Sequence, residues 1–173
     1  MLDSAQREHA AILNAGDGQL LSLGSRTILT VRAEWTGGAY CLLDQIVEPG
    51  FITPAHFHEN ESQVSLVIDG RLGFWIDGEE FEAGPGASVY RPAGKPHALW
   101  NATSSPVRMI EVTTPATGFQ QYLLELSDMI DAGTADPATV RRFAAANGVH
   151  FVDGVVDELR ERHGLHETGG FWR

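Results

Sequence analysis

Two motifs framed by glycine and proline, each carrying histidine, constrain this chain more than any other feature. The first runs Gly50-x5-His56-x-His58-x4-Gln63-x6-Gly70, and the second runs Gly86-x5-Pro92-x-Gly94-x2-His97-x3-Asn101. Alternate residues of a β-strand share a face, so His56 and His58 present their imidazoles side by side. A second hairpin can bring His97 opposite them, giving three nitrogen donors around one point. Such a set suits a divalent transition metal with open coordination positions. A lone histidine near a turn would read as an ordinary polar residue. An HxH pair with a third histidine in a second glycine-proline frame does not.

The segments around the motifs predict an all-β fold. Turn signals recur at short intervals: Pro49-Gly50, Asp69-Gly70, Asp77-Gly78, Gly84-Pro85-Gly86 and Pro92-Ala93-Gly94. Short apolar or β-branched runs lie between them, which indicates a sandwich or barrel of hairpins. Helix and strand do not alternate, so a doubly wound sheet is excluded. From Thr117 the pattern turns helical. Phe119, Tyr122, Leu123, Leu126, Met129 and Ile130 fall at helical spacing after a Thr117 cap, Asp136-Pro137 opens a second helix that Asn147-Gly148 ends, and a third spans about 154 to 162. The expected organisation is one domain: an arm over 1–26 with a short helix from Ser4 to Leu13, a barrel over 27–115, and a helical tail over 116–173 packed on the outside of the barrel. The last residues, Glu167 to Arg173, are expected to fray or to serve an oligomer contact.

Composition bounds the partners. The 173 residues carry a net charge of −11 with no clustered basic stretch, which argues against nucleic acid and anionic membranes. No apolar run reaches membrane-spanning length and no signal sequence is evident, so a cytoplasmic protein is expected. The single cysteine, Cys41, lies beside Tyr40 in an apolar segment and reads as a buried structural thiol.

The two motifs resemble those of the cupin superfamily, small β-barrels that hold a metal inside. The second motif matches the family pattern at every fixed position. The first departs at one, where Gln63 stands in place of the usual Glu. Thr36-Gly37-Gly38-Ala39-Tyr40, Pro49-Gly50 and Gly118-Phe119 extend the likeness toward single-domain quercetin 2,3-dioxygenase-like cupins, over about residues 20 to 150. The resemblance implies a cupin-type β-barrel (a double-stranded β-helix, or jelly roll) with one divalent transition metal: Fe, Ni, Co, Mn or Zn. It also implies that the missing Glu would both bind metal and take an enol proton from substrate. An amide cannot act as a base, so the expected centre is His56, His58 and His97 with Gln63 as a weak fourth ligand or hydrogen-bond donor. Glu61 shares the strand parity of Gln63 and is a second candidate for the missing carboxylate.

Around that centre, Glu111 shares a face with Met109 and is the candidate acid or base. Tyr40, Trp75, Leu99 and Met109 are the candidate substrate contacts, and Arg91 and Lys95 are expected at the surface. The leading expectation is a metal-dependent dioxygenase acting with O2 on an aromatic or enolisable small molecule, working as a homodimer. The alternatives are a non-redox cyclase, isomerase or lyase using the metal as a Lewis acid, and a small-molecule-binding cupin without catalysis.

Overall fold

The computed structural model describes residues 12–116 and 118–165. The expected helix from Ser4 and the tail from Glu167 therefore lie essentially outside the described residues, as does the side chain of Thr117. Among the described residues, eleven strands form two antiparallel sheets. The first sheet has the order β1-β2-β3-β10-β5-β8, with β1 Gln19–Ser22, β2 Arg26–Val31, β3 Cys41–Val47, β10 Val107–Thr114, β5 Ser62–Asp69 and β8 Ser88–Arg91. The second has the order β11-β4-β9-β6-β7, with β11 Val149–Phe151, β4 His56–His58, β9 His97–Trp100, β6 Leu72–Ile76 and β7 Glu79–Ala83. Strands β1 and β11 come from outside residues 27–115, so the sheets recruit chain from both the arm and the tail.

Alternation builds the interior. Along β10, Val107, Met109, Glu111 and Thr113 are buried while Arg108, Ile110 and Val112 are half-buried. Along β5 the inward set is Gln63, Ser65 and Val67. Period-two packing puts one set inside and the other on the outer face. The inward residues also change along each strand. One end is apolar, where Val47, Val67, Leu72, Phe74, Leu99, Val107 and Met109 form a packed cluster. The other end is polar, where Gln63, Ser65, Arg91, Glu111 and Thr113 are all buried. The apolar end anchors the fold, and the polar end gathers the buried ionisable and hydrogen-bonding side chains.

Three helices follow: α1 Phe119–Asp131, α2 Pro137–Ala146 and α3 Val155–His163. At α2 the cap forms as the sequence predicts, with Asp136 accepting from the Thr139 N–H and Pro137 in the first turn. α3 lies on the outer face of the second sheet, where Leu159 packs with Ile52, Ala55, Ala98 and Trp100. Gly73 makes room for that layer, because a Cβ there would meet the Trp100 indole at 2.1 Å. α1 departs from the expected placement outside the barrel. Its Phe119, Tyr122, Leu123 and Leu126 pack with Leu21, Leu29, Cys41, Leu43 and Val149, and the same four side chains line the interior cavity. Burying them contributes about 1.5–3 kcal/mol each as an upper range, so α1 is a fixed wall of the site. No helix among the described residues is long and apolar enough to cross a membrane.

Candidate metal centre

Strand pairing creates the histidine cluster. His56 and His58 point the same way from β4, and His56 is directly opposite His97 in the β4–β9 pairing. The ring centroids of His56 and His97 are 4.5 Å apart, those of His56 and His58 5.0 Å, and those of His58 and His97 5.4 Å. One ligand atom from each of the three lies within 4.8 Å of the others. That spacing surrounds a single ion without rearrangement of the backbone.

Two hydrogen bonds set the tautomers. His56 Nδ1 lies 2.7 Å from the Pro54 carbonyl oxygen, and His97 Nδ1 lies 2.9 Å from that of Lys95. A carbonyl only accepts, so both Nδ1 atoms carry the proton and each Nε2 keeps its lone pair, as a metal-ligating imidazole requires. His97 Nε2 and both nitrogens of His58 are buried with no hydrogen-bond partner. Unpaired buried polar atoms are costly and uncommon, and an unpartnered nitrogen on each of His58 and His97, beside His56, fits a bound metal.

Electrostatics agree. Burial, with Arg91 adding to it, holds the His56 ring at a pKa of about 4. Burial, then His56 and Arg91, take His58 down to about 2. Burial, then His56, Arg91 and His58, hold His97 well below the ordinary imidazole range. All three rings are neutral donors at neutral pH.

Gln63 is buried and lines the same cavity as His56. Its Nε2 donates to Glu111 Oε1 at 3.0 Å and to Thr113 Oγ1 at 3.4 Å, which leaves Oε1 buried without a partner. Glu111 is inside the barrel, as the parity with Met109 predicts. Arg91 is not at the surface: it is 2% exposed, and its Nη2 donates to Glu111 Oε2 at 2.5 Å and to Ser65 Oγ at 2.7 Å. The reason is parity on β8, where Val89 and Arg91 turn inward while Ser88 and Tyr90 face solvent. Lys95 is at the surface, paired with Asp77 at 2.6 Å. Glu61 does not join the cluster, because its Oε1 accepts from the Gly118 and Phe119 backbone N–H groups at 2.9 and 3.2 Å and caps α1. Cys41 is fully buried and its thiol is pushed up to about 12, chiefly by burial, so it is inert packing.

Of the expected substrate contacts, Leu99 lines the cavity. The other three do not. Tyr40 is 40% exposed just before β3. Trp75 faces outward opposite Ala98 and packs against the cluster under α3. Met109 faces inward but sits in the apolar end of the barrel. Most of the aromatic wall comes from the tail instead, with Phe119 and Tyr122 of α1 and Phe151 of β11 joining Phe51. The cavity measures about 100 Å³, smaller than the roughly 150 Å³ apolar cavity that admits benzene in another protein.

This geometry has clear relatives. Residues 43–113, which span β3 to β10, match the Cupin domain family. The chain is 25% identical over 118 residues to quercetin 2,3-dioxygenase of Bacillus subtilis, a match covering 68% of this chain and 34% of that protein. The curated relatives it matches are thus aligned over only about a third to two thirds of their own length. Among solved structures, the polyketide cyclase RemF of Streptomyces resistomycificus superposes with a TM-score of 0.54 at 23% identity, over 62% of this chain and 80% of that one. A sugar phosphate isomerase of the cupin superfamily from Silicibacter pomeroyi gives 0.52 at 21% identity, over 60% and 75%. With the histidines of both motifs on neighbouring strands of one sheet, and with the domain match running through them, residues 43–113 of this chain make up a cupin domain.

Proposed function

We propose that this chain is a metal-dependent oxygenase of the dioxygenase type, acting on a small molecule that offers chelating, ionised oxygens. The observation that carries the reading is the cluster of three neutral imidazoles, in which His97 Nε2 and both nitrogens of His58 are buried without partners and His56 lines the adjoining cavity. His56, His58 and His97 would hold a divalent metal with Gln63 beside them, and the metal would polarise a bound oxygen and bring it together with O2.

The remaining residues shape the substrate class. The three imidazoles and the Gln63 amide are neutral, and the Arg91–Glu111 pair sums to zero, so none of them offsets a divalent charge. A ligand that brings its own anionic oxygen, such as the enolate of a dicarbonyl, is therefore favoured over a neutral one. Gln63 accepts no proton, and both carboxylate oxygens of Glu111 are engaged by Gln63 and Arg91. Substrate arriving already ionised needs no base. The cavity, at about 100 Å³, favours a small acyclic molecule, and a flavonol needs α1 to shift. Phe119, Tyr122, Leu123 and Leu126 exclude water from the apolar side. The likeness to the Bacillus subtilis quercetinase supports oxygenation as the reaction class.

The test is oxygen uptake by protein loaded in turn with Fe, Mn, Co, Ni and Zn, offered flavonols and small dicarbonyls. Uptake with redox-active metals and a small enolate, and none with Zn, is expected. Turnover of the same compounds by the Zn form without O2 would replace this reading with Lewis-acid chemistry of the cyclase or isomerase kind.

A further inference from the structure

We infer that Glu111 is the positioning residue for Gln63, so that positions 63 and 111 together supply one carboxylate and one amide whose places are interchangeable. The inference rests on the metal reading above and concerns how the fourth donor is aimed. Across the first sheet, Gln63 lies opposite Thr113 on β10 and opposite Arg91 on β8, and Glu111 lies opposite Ser65. This register sets β5 between the strands of Glu111 and Arg91, and the Glu111 carboxylate reaches both Gln63 and Arg91 over the inner face of the sheet. Its Oε2 accepts from Arg91 at 2.5 Å and its Oε1 accepts from Gln63 Nε2 at 3.0 Å.

A carboxylate so engaged only accepts, so Gln63 must turn its NH2 group toward position 111. The amide oxygen is thereby aimed the other way. It is buried, it has no partner, and it belongs to a side chain on the cavity wall that also carries His56. Arg91 completes the chain of constraint, because its Nη2 holds Glu111 from behind while Ser65 fixes Nη2. Glutamate at position 63 would leave two carboxylates facing each other at hydrogen-bond distance with no donor between them. Gln63 is thus the residue that Glu111 requires.

The substitution logic runs in both directions. In Glu111→Gln, Arg91 keeps the new carbonyl oxygen and the new NH2 faces position 63. Gln63 then turns its own oxygen toward 111 and its NH2 toward the histidines, losing a ligand. In the exchange variant Gln63→Glu/Glu111→Gln, that NH2 donates to the new carboxylate, which is aimed at the metal. The barrel keeps one carboxylate and one amide throughout the exchange.

Co(II) is the probe, with affinity from titration and coordination from the visible d–d bands. Relative to the unsubstituted protein, Glu111→Gln is expected to bind about tenfold more weakly, within the range for losing a group that orients a ligand. Its bands should report one oxygen ligand fewer. The exchange variant should bind about tenfold or more tightly than the unsubstituted protein, and Gln63→Glu alone should fall short of it. If either single variant fails to fold while the exchange variant folds and binds, that rescue supports the pairing. Equal gains from Gln63→Glu and the exchange, an exchange variant that is unfolded or no tighter, or an unchanged spectrum in folded Glu111→Gln would each overturn the inference with the metal reading intact. An unsubstituted protein that binds no Co(II) would overturn both.

Discussion

The ring of Phe119 stands edge-on to the imidazole of His58, with centroids 4.5 Å apart and planes at 87°. The first residue of α1 therefore touches a candidate metal ligand directly. Glu61, three residues beyond His58, binds back to the N–H groups of Gly118 and Phe119. The loop of the first motif and the start of α1 form one unit, and the helix that walls the cavity is tied to the centre it encloses.

Glu61→Ala removes the acceptor for both N–H groups and the favourable charge at the helix start. The expected cost is about 1–2 kcal/mol, read as a lower thermal midpoint. Amide hydrogen exchange should quicken along Phe119–Asp131, while metal affinity stays nearly constant because Glu61 is not a ligand. Unchanged exchange in that helix would show that the cap does not hold it.

His58 lies at 1% exposure with neither ring nitrogen partnered. Without metal, the folded state bears the desolvation of both nitrogens, which costs about 1–3 kcal/mol for each unsatisfied group. His58→Leu should therefore raise the stability of the metal-free protein while strongly reducing metal content. Such opposition of stability and function is usual where a site is built for a ligand. A metal-free His58→Leu protein less stable than the parent would argue that the imidazole packs better than its unpaired nitrogens suggest.

The three imidazoles also set the response to acid. Their folded pKa values are depressed, to about 4 for His56 and about 2 for His58, chiefly by burial. An unfolded chain takes up protons on these groups below its ordinary value of about 6.5, while the folded one does not. Below that point the unfolded state binds more protons, so stability falls as pH falls, at up to about 1.4 kcal/mol per pH unit for each ring that stays neutral. The contribution is fully present above pH ~6.5. Denaturant midpoints of metal-free protein at several pH values between 7.5 and 4.5 should fall steadily, and a His58→Leu/His97→Leu variant should show a shallower fall. Equal slopes would sink the assignment.

How legible the site was depended on whether parity or periodicity carried the information. His56 and His58 share a face by two-residue alternation and strand pairing adds His97 as read, while Gln63 lines the cavity that His56 also lines. Glu111 was legible from Met109 by the same rule. Arg91 was misread because a charged side chain beside Pro92 suggests a surface turn, yet its parity with Val89 against Ser88 and Tyr90 was already in the sequence. The α1 stripe of Phe119, Tyr122, Leu123 and Leu126 was legible as a buried face. Periodicity does not say against what a face packs, and here it closes the cavity. The same gap explains Trp75 and Tyr40, whose bulk suggested a barrel mouth that the tail supplies. Strand β11, three residues between two helices, was too short to signal itself, and pairing with β4 is what makes it a strand.

Arg91 and Glu111 form a buried ion pair, with side chains 3% and 5% exposed. Arg91→Met keeps much of the volume but leaves the Glu111 carboxylate buried with only the Gln63 amide to oppose it. Breaking one side of such a pair costs about 3–5 kcal/mol. Arg91→Met/Glu111→Gln removes both charges while keeping an acceptor and a donor beside Gln63, so it should recover more than half of that loss. Chemical denaturation of the metal-free proteins measures both, and the difference isolates the uncompensated charge from lost packing. If the double variant is as unstable as Arg91→Met, the arginine acts by filling space, and the polar end of the barrel is held by shape instead of by the ion pair.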